Sequence, residues 1–288
     1  SSTNPGLISR QGPLGGFPRG PIAGTCLHNI LEKINFKATS DNPDSEELIA
    51  KELRLYGIDI SHTKSVLEGI NNVMNIPLGG RLGDLQLGKI EPSNRIHELN
   101  FDMPLAQSKG STFTSSSLKS AFKVDPQERF GPKYSEMLSD LNIDSKGFLT
   151  GSIDLVFADN QDPLNSRWWV LDWKSNWIGK QTEEGEALEC GPYYYQNDVM
   201  EQEMISHHYP LQAHLYLVAL HRFLEWRLPG YSPEKHLGGY VYVFLRGIPK
   251  WKDYQDTRKA NMIPGLIVEK APTNRILKLD CLIKGDIK

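Results

Sequence analysis

Two short stretches of the chain indicate its fold: Gly151-Ser-Ile-Asp-Leu-Val-Phe157 and Val170-Leu-Asp-Trp-Lys-Ser-Asn-Trp-Ile-Gly179. Each begins as an apolar run interrupted by single charges. Residues 159–166, which separate the two runs, are rich in Asp, Asn, Pro and Ser, the residues that favour turns. The pattern therefore predicts a β-hairpin with strands over residues 147–158 and 167–174.

The charges on these two strands are the first candidates for chemistry. Side chains alternate between the faces of a strand, so Asp172 and Lys174 must point the same way, as must Ser152 and Asp154. The strands are otherwise apolar, and an unpaired ionised group buried there would cost several kcal/mol. Two acids against one lysine leave a negative charge that a hard divalent ion such as Mg²⁺ would balance, and the ion would also supply a nucleophilic water. This layout is typical of metal-dependent phosphodiester hydrolysis.

A plainer interpretation of the same residues stays open at this point. An Asp-x-Lys pair is most often exposed and worth under ~1 kcal/mol, and spacing alone favours that interpretation.

The rest of the chain predicts a mixed sheet with helices around it. Apolar residues at helical spacing predict helices over residues 25–34, with Thr25 as N-cap, 45–56, 62–74 and 198–228, the last interrupted near Pro210. Alternation from Arg95 to Met103 and the apolar run 239–246 predict two more strands. The polar region 107–146 is expected to form loops and a short helix over residues 134–141. The expected fold class is α/β.

Composition excludes several classes of protein. The chain has 288 residues, with 32 Lys+Arg against 35 Asp+Glu and a formal charge of −3, so any DNA contact must be a local patch. No apolar run approaches the ~18 residues of a membrane span, so no membrane association is expected. The three cysteines are far apart, so neither a disulfide framework nor a CxxC metal site is expected. This cysteine usage predicts a reducing compartment. The start at Ser1 without Met predicts a piece of a longer protein.

Five blocks in order carry a resemblance to a known family. The hairpin, with its two strands taken together, is one block, and the other four are the following: Gly24-Thr-Cys-Leu-His-Asn-Ile-Leu-Glu32, His97-Glu-Leu-Asn-Phe101, Tyr209-Pro-Leu-Gln-Ala-His-Leu-Tyr-Leu-Val-Ala-Leu-His-Arg-Phe-Leu224 and Gly238-Gly-Tyr-Val-Tyr-Val-Phe-Leu-Arg-Gly247. Together they resemble the C-terminal nuclease domain of RecB, the β subunit of exodeoxyribonuclease V, in the restriction-endonuclease-like PD-(D/E)xK superfamily. The resemblance implies a restriction-endonuclease-like mixed central sheet flanked by helices.

The resemblance also implies roles for individual residues. The implied metal ligands are His28, Asp154 and Asp172, with the backbone carbonyl of Trp173 as an addition. The implied catalytic residues are Asp172, Lys174 as the catalytic lysine, and Glu98 as an acidic group beside the site. His97 would replace Glu98 if the strand register slipped by one residue. Glu32, four residues after His28, could orient the imidazole, although a surface i,i+4 pair explains it equally well.

Gln212 and Tyr216 lie four residues apart and so share a helix face. The resemblance places a glutamine and a tyrosine next to the active site, where they would position phosphate or the DNA strand. The alternative is a core helix with one buried polar pair.

The activity implied by the resemblance is magnesium-dependent exonuclease cleavage of DNA, with single-strand endonuclease activity as an extension. Mn²⁺ is expected to substitute for Mg²⁺, and Ca²⁺ to bind without supporting efficient cleavage. No iron–sulfur cluster is expected, because three scattered cysteines cannot supply four ligands. The implied partners are DNA single strands delivered by a helicase, RecC- and RecD-like subunits and RecA. The implied setting is end resection in recombinational repair, in a cytoplasmic, nucleoid-associated enzyme.

The domain prediction has three parts: a linker over residues 1–24, rich in Pro and Gly, a nuclease domain over 25–265, and a tail over 266–288. A catalytically inactive DNA-binding or scaffold module of the same fold is the alternative function. The spacing of the remaining histidines fits no zinc-site signature and predicts solvated or capping roles for His207, His208, His214, His221 and His236.

Overall fold

The structure is a computed structural model that describes residues 8–37, 42–106, 113–141, 147–250 and 263–286. Its centre is a five-stranded mixed sheet. The strands, in chain order, are β1 (Arg95–Pro104), β2 (Phe148–Ala158), β3 (Trp168–Lys174), β6 (Leu237–Phe244) and β7 (Leu266–Lys270), and they lie in the order β1-β2-β3-β6-β7. Two short strands, β4 (Lys180–Gln181) and β5 (Ala187–Glu189), pair antiparallel in a separate ribbon.

Helices flank the sheet, which confirms the predicted α/β class with a mixed central sheet. They are α1 (Pro21–Lys33), α2 (Pro43–Leu55), α3 (Thr63–Asn75), α4 (Ser115–Phe122), α5 (Pro132–Met137), α6 (Asn197–Ser206), α7 (Tyr209–Arg227), α8 (Pro233–His236) and α9 (Thr273–Lys284). The predicted break near Pro210 is confirmed: α6 ends at Ser206, and Pro210 lies in the first turn of α7, where a missing N–H costs nothing. In the part of the chain that the structure describes, no helix is long and apolar enough to cross a membrane.

Two local predictions are wrong. Thr25 is not the N-cap of the first helix, because α1 already begins at Pro21 and the Thr25 hydroxyl donates to the Pro21 carbonyl at 3.0 Å. His28 therefore lies beyond the first turn. The helix α4 falls in a region predicted as loops, and its start is held by a reciprocal cap between Thr114 and Ser117.

By its internal contacts the chain forms two compact units, and their limits cut through strands of the sheet. The first consists of Ser1–Arg95, Leu171–Gln202 and Val241–Val268. Within it, the segment predicted as a linker contributes two side chains to the core: Leu14 and Phe17 are 1% and 2% exposed.

The second unit consists of Ile96–Val170, Glu203–Tyr240 and Glu269–Lys288. In it, α9 packs against α7 and α4, although its residues belong to the predicted tail. The buried Arg275 of α9 donates to the carbonyls of Val124, Asp125 and Arg129 at 2.9–3.2 Å, which holds the chain after α4 in place. The limits of the nuclease domain stay a prediction.

Three of the five histidines expected to be solvated or to cap helices are buried. His214, His221 and His236 are 0%, 5% and 1% exposed. For His214 the environment determines the tautomer: Nδ1 donates to the Pro210 carbonyl at 2.5 Å, and Nε2 accepts from Arg275 Nη1 at 3.0 Å. A residue type taken alone does not reveal that both ring nitrogens find partners, which is why the solvated assignment was wrong.

Candidate functional site

The end of β3 carries a buried ion pair. Lys174 Nζ lies 2.6 Å from Asp172 Oδ2, and the two side chains are only 12% and 4% exposed. Strand alternation puts both on one face, as predicted. The interpretation of this pair as an exposed surface pair is wrong, since little solvent is left to screen the attraction.

An aromatic ring also lies beside the ammonium. Lys174 Nζ lies 5.3 Å from the ring centroid of Tyr242 on β6, and Tyr242 is 1% exposed. A ring face attracts a cation through its quadrupole, and the attraction grows when the pair is desolvated. The carboxylate and the ring together restrict where this ammonium can go.

Asp154 lies on β2, the strand next to β3 in the sheet, and is half-buried. Ile153 and Leu155, which alternate with it, are 0% exposed, so the acid occupies the other face of its strand. Ser152 shares that face, and its Oγ is buried with no hydrogen-bond partner among the described residues. A buried hydroxyl without a protein partner is uncommon, and an ordered water or an ion is one way to satisfy it.

His28 lies on α1, half-buried, one turn after a close helix–strand contact. A Cβ placed on Gly24 would lie 2.8 Å from Ser175 Oγ, so glycine lets α1 approach the residue that follows Lys174. Because residues four apart share a helix face, His28 lies on the face of α1 that Gly24 presents to this segment. Glu32 is exposed, and its pairing with His28 stays a prediction.

The sequence analysis assigned no role to Arg246, although this charged residue stands at the end of the apolar run 239–246. It is 1% exposed. Its guanidinium donates to the carbonyls of Ser175, Leu14, Phe17 and Pro18, at 2.6–3.0 Å. Burial lowers the pKa of Arg246. One side chain thus ties the residue after Lys174 to the segment that leads into α1.

Glu98 is exposed on β1 and has an unusual backbone conformation, with φ 49°. A non-glycine residue in the left-handed region is uncommon and strained. His97, its neighbour, is half-buried. Since the left-handed residue breaks the regular alternation of β1, register alone does not choose between them, and Glu98 stays a prediction.

The shared face of Gln212 and Tyr216 on α7 is present in the structure. Gln212 Nε2 donates to Tyr216 Oη at 2.9 Å, and the Tyr216 ring packs edge-on against Phe101 of β1 at 5.9 Å. Tyr216 is 8% exposed. Both a positioning role and a buried polar pair of the core fit these contacts.

The donor set suits a hard cation, although it is not a closed cage. Among the residues that the structure describes, no group of three or more His, Cys, Asp or Glu is arranged to hold a metal ion. Mg²⁺ commonly uses one or two carboxylates and keeps several waters, so the carboxylates of Asp154 and Asp172 are of the kind that this ion prefers. The full ligand set stays a prediction.

No family model matches the chain, but curated proteins do. Each of the following is a RecBCD enzyme subunit RecB. The protein of Escherichia coli K12 is 31% identical over 252 residues, which cover 87% of this chain and 19% of that protein. The protein of Mycolicibacterium smegmatis is 31% identical over 252 residues, 82% of this chain and 21% of that protein. That of Mycobacterium tuberculosis H37Rv is 29% identical over 248 residues, with the same two shares, 82% and 21%. The chain spans about a fifth of the length of these relatives, and its resemblance to RecB is confirmed over that segment.

Proposed function

We propose that this chain is a nuclease domain that hydrolyses DNA phosphodiester bonds with Mg²⁺. It is similar to a segment that makes up about a fifth of the length of the RecB subunit. The observation that carries the proposal is the buried Asp172–Lys174 pair at the end of β3, beside the strand of Asp154. The likeness to RecB favours exodeoxyribonuclease V-type cleavage, including single-strand endonuclease cleavage, during end resection in recombinational repair.

The roles proposed for the residues follow from their positions. Lys174, restricted by Asp172 and the Tyr242 ring, orients the attacking water and stabilises negative charge on the attacked phosphate. Asp154, Asp172 and His28 are the proposed ligands of a divalent cation, with Glu98 beside them. When bound, that cation would withdraw charge from the phosphate and favour the deprotonated form of water.

The alternative function, an inactive binding or scaffold module of the same fold, leaves the pair unexplained. A buried ion pair is often no more stable than apolar residues of the same volume, and replacing one can stabilise a fold by about 1–4 kcal/mol. A module without chemistry gains little stability from keeping both charges. Their presence favours the enzyme.

The proposed partners follow from the relatives, which by name are subunits of a RecBCD enzyme. We propose contacts with RecC- and RecD-like subunits and with RecA, and single strands delivered by a helicase. A formal charge of −3 agrees with such delivery, because a chain fed with DNA needs little nonspecific affinity of its own.

The test is cleavage of labelled single-stranded DNA with Mg²⁺, with Mn²⁺, with Ca²⁺ and with EDTA. We expect cleavage with Mg²⁺ and Mn²⁺, little with Ca²⁺ and none with EDTA. Replacing Lys174 alone removes the ammonium from beside the buried Asp172 carboxylate, and this loss lowers the free energy of unfolding by about 3 kcal/mol. The informative variant is therefore the neutral pair Asp172→Asn/Lys174→Met, expected to fold and to lose at least about 100-fold in rate.

The matched control is the exposed pair Lys37–Glu91, 2.8 Å apart, replaced as Lys37→Met/Glu91→Gln. Its activity should equal that of the unmodified chain. Undiminished cleavage by the folded neutral-pair variant, or cleavage that survives EDTA, would refute the proposed function.

A further inference from the structure

An exposed arginine is stacked on a tryptophan close to the proposed site. The Arg19 guanidinium carbon lies 3.5 Å from the ring centroid of Trp177, and Nη1 lies 3.5 Å from the Gln181 side-chain oxygen. The stack orients a planar cation, and Arg19 is nevertheless exposed to solvent. Both residues belong to the first compact unit.

Two short covalent links and one guanidinium attach this stack to the end of β3. Arg19 follows Pro18, and Trp177 comes two residues after Ser175. The carbonyls of Pro18 and Ser175 accept from the same Arg246 guanidinium, at 2.6 Å and 3.0 Å. Ser175 in turn follows Lys174. The position of the stack relative to Lys174 is therefore set by buried hydrogen bonds rather than by a loose surface loop.

Within the described residues no carboxylate pairs with Arg19, whereas a second stacked arginine in the same unit has an acidic partner. Arg10 lies over the Tyr193 ring at 4.2 Å, but its Nη1 is 3.2 Å from the Glu189 carboxylate. Within the described residues, Arg19 has no acidic partner. A chain with more acids than bases that leaves an oriented, exposed guanidinium unpaired provides a site for an external anion.

We propose that the Arg19–Trp177 stack binds a backbone phosphate of single-stranded DNA and so positions the strand beside Lys174. This inference rests on the proposed nuclease function. The planar fork of arginine matches two phosphate oxygens, and stacking orients it before the DNA arrives. Arg19 is a positioning residue with no part in the chemical step.

The test measures binding apart from cleavage. A fluorescein-labelled oligothymidylate of about 16 nucleotides is titrated with the full chain in EDTA, at several salt concentrations, and followed by anisotropy. We expect Arg19→Ala to weaken binding about fivefold at 0.1 M salt and to reduce the slope of log K against log salt by about 0.7, the value for one lost phosphate contact. Arg19→Lys should retain the slope, because it retains the charge. Arg10→Ala, the matched control, should change neither quantity, and all variants should stay folded, with melting temperatures within a few degrees of that of the unmodified chain.

The outcomes separate this inference from the proposed function. If Arg19→Ala binds like the unmodified chain, or if Arg10→Ala loses as much as Arg19→Ala, the stack is not a phosphate contact, while EDTA-sensitive cleavage would leave the nuclease intact. If the unmodified chain neither binds nor cleaves the oligonucleotide, the nuclease proposal fails and this inference with it.

Discussion

The buried charged and polar side chains of this chain are stabilised by different kinds of partner. Asp172 is paired with an ammonium, whereas Arg246 is surrounded by backbone carbonyls. The contacts of His214 require a neutral imidazole, because one ring nitrogen donates to a carbonyl and the other accepts from Arg275. Adding a proton to His214 would direct two cationic groups at each other at a fully buried position.

This arrangement predicts a pH dependence of stability. Burial, and then the Arg275 charge, lower the pKa of His214 to about 3 from 6.5 in the unfolded chain. Between these values the unfolded chain binds a proton that the folded chain does not, so stability falls as the pH drops below about 6.5, by up to about 1.4 kcal/mol per pH unit. Above that pH the residue has no such effect.

Urea denaturation between about pH 4 and pH 6 measures this dependence. In His214→Gln, whose amide can both donate and accept, the slope of unfolding free energy against pH should decrease by about one proton. His207→Gln, at an exposed position, is the matched histidine control. Equal slopes in the unmodified chain and in His214→Gln would contradict the assignment.

At the scale of elements, β1, β2 and α7 meet through one aromatic cluster. Phe101 of β1 contacts Tyr216 of α7 edge-on, and a Cβ on Gly151 of β2 would lie 2.6 Å from Phe101 Cζ. The Phe101 ring is rigid and packs against Tyr216, which limits how far it can move aside. Gly151 is therefore needed for close approach, although its φ is ordinary.

Gly151→Ala should destabilise the fold by about 1–3 kcal/mol, the usual effect of overpacking. The added Phe101→Leu exchange should recover part of that loss, because a smaller side chain makes room for the new methyl group. Gly16→Ala, where an added Cβ meets nothing within 4 Å, is the control. The midpoints of denaturant unfolding measure these changes. If Gly151→Ala is as stable as the unmodified chain, the Phe101 ring moves aside without loss of stability, which contradicts the prediction.

At the scale of the whole molecule, a cation that binds only the folded chain must stabilise it. At a concentration of 100 times its dissociation constant, Mg²⁺ or Mn²⁺ should add about 2.7 kcal/mol to the unfolding free energy. We expect the melting temperature to rise with Mn²⁺, Mg²⁺ and Ca²⁺ and to return to its starting value with EDTA.

The neutral-pair variant Asp172→Asn/Lys174→Met should lose most of this rise, while Glu91→Gln, at an exposed ion-paired carboxylate, should keep it. A rise of the same size in both variants would mean that the ions bind elsewhere on the chain.

Much of the fold was predictable because it depends on local periodicity. The apolar runs of β2, β3 and β6, the break before α7 and the shared face of Gln212 and Tyr216 all follow from spacing. The start of α1 was missed because it is set by a proline in the first turn. The whole of α4 was missed because its start is set by a Thr–Ser cap. Those are features of single residues, and average periodicity does not report them.

The sequence by itself determined which residues share a face of each strand or helix, and that Asp154, Asp172 and Lys174 interrupt apolar strands, because alternation is a property of neighbouring residues. Only the tertiary structure decided that the Asp172–Lys174 pair is buried, that Arg246 holds carbonyls more than two hundred residues away in the chain, and that His214 is locked neutral. The physical reason is that burial and long-range hydrogen bonds depend on what packs against a side chain, and that neighbour is specified by no local pattern.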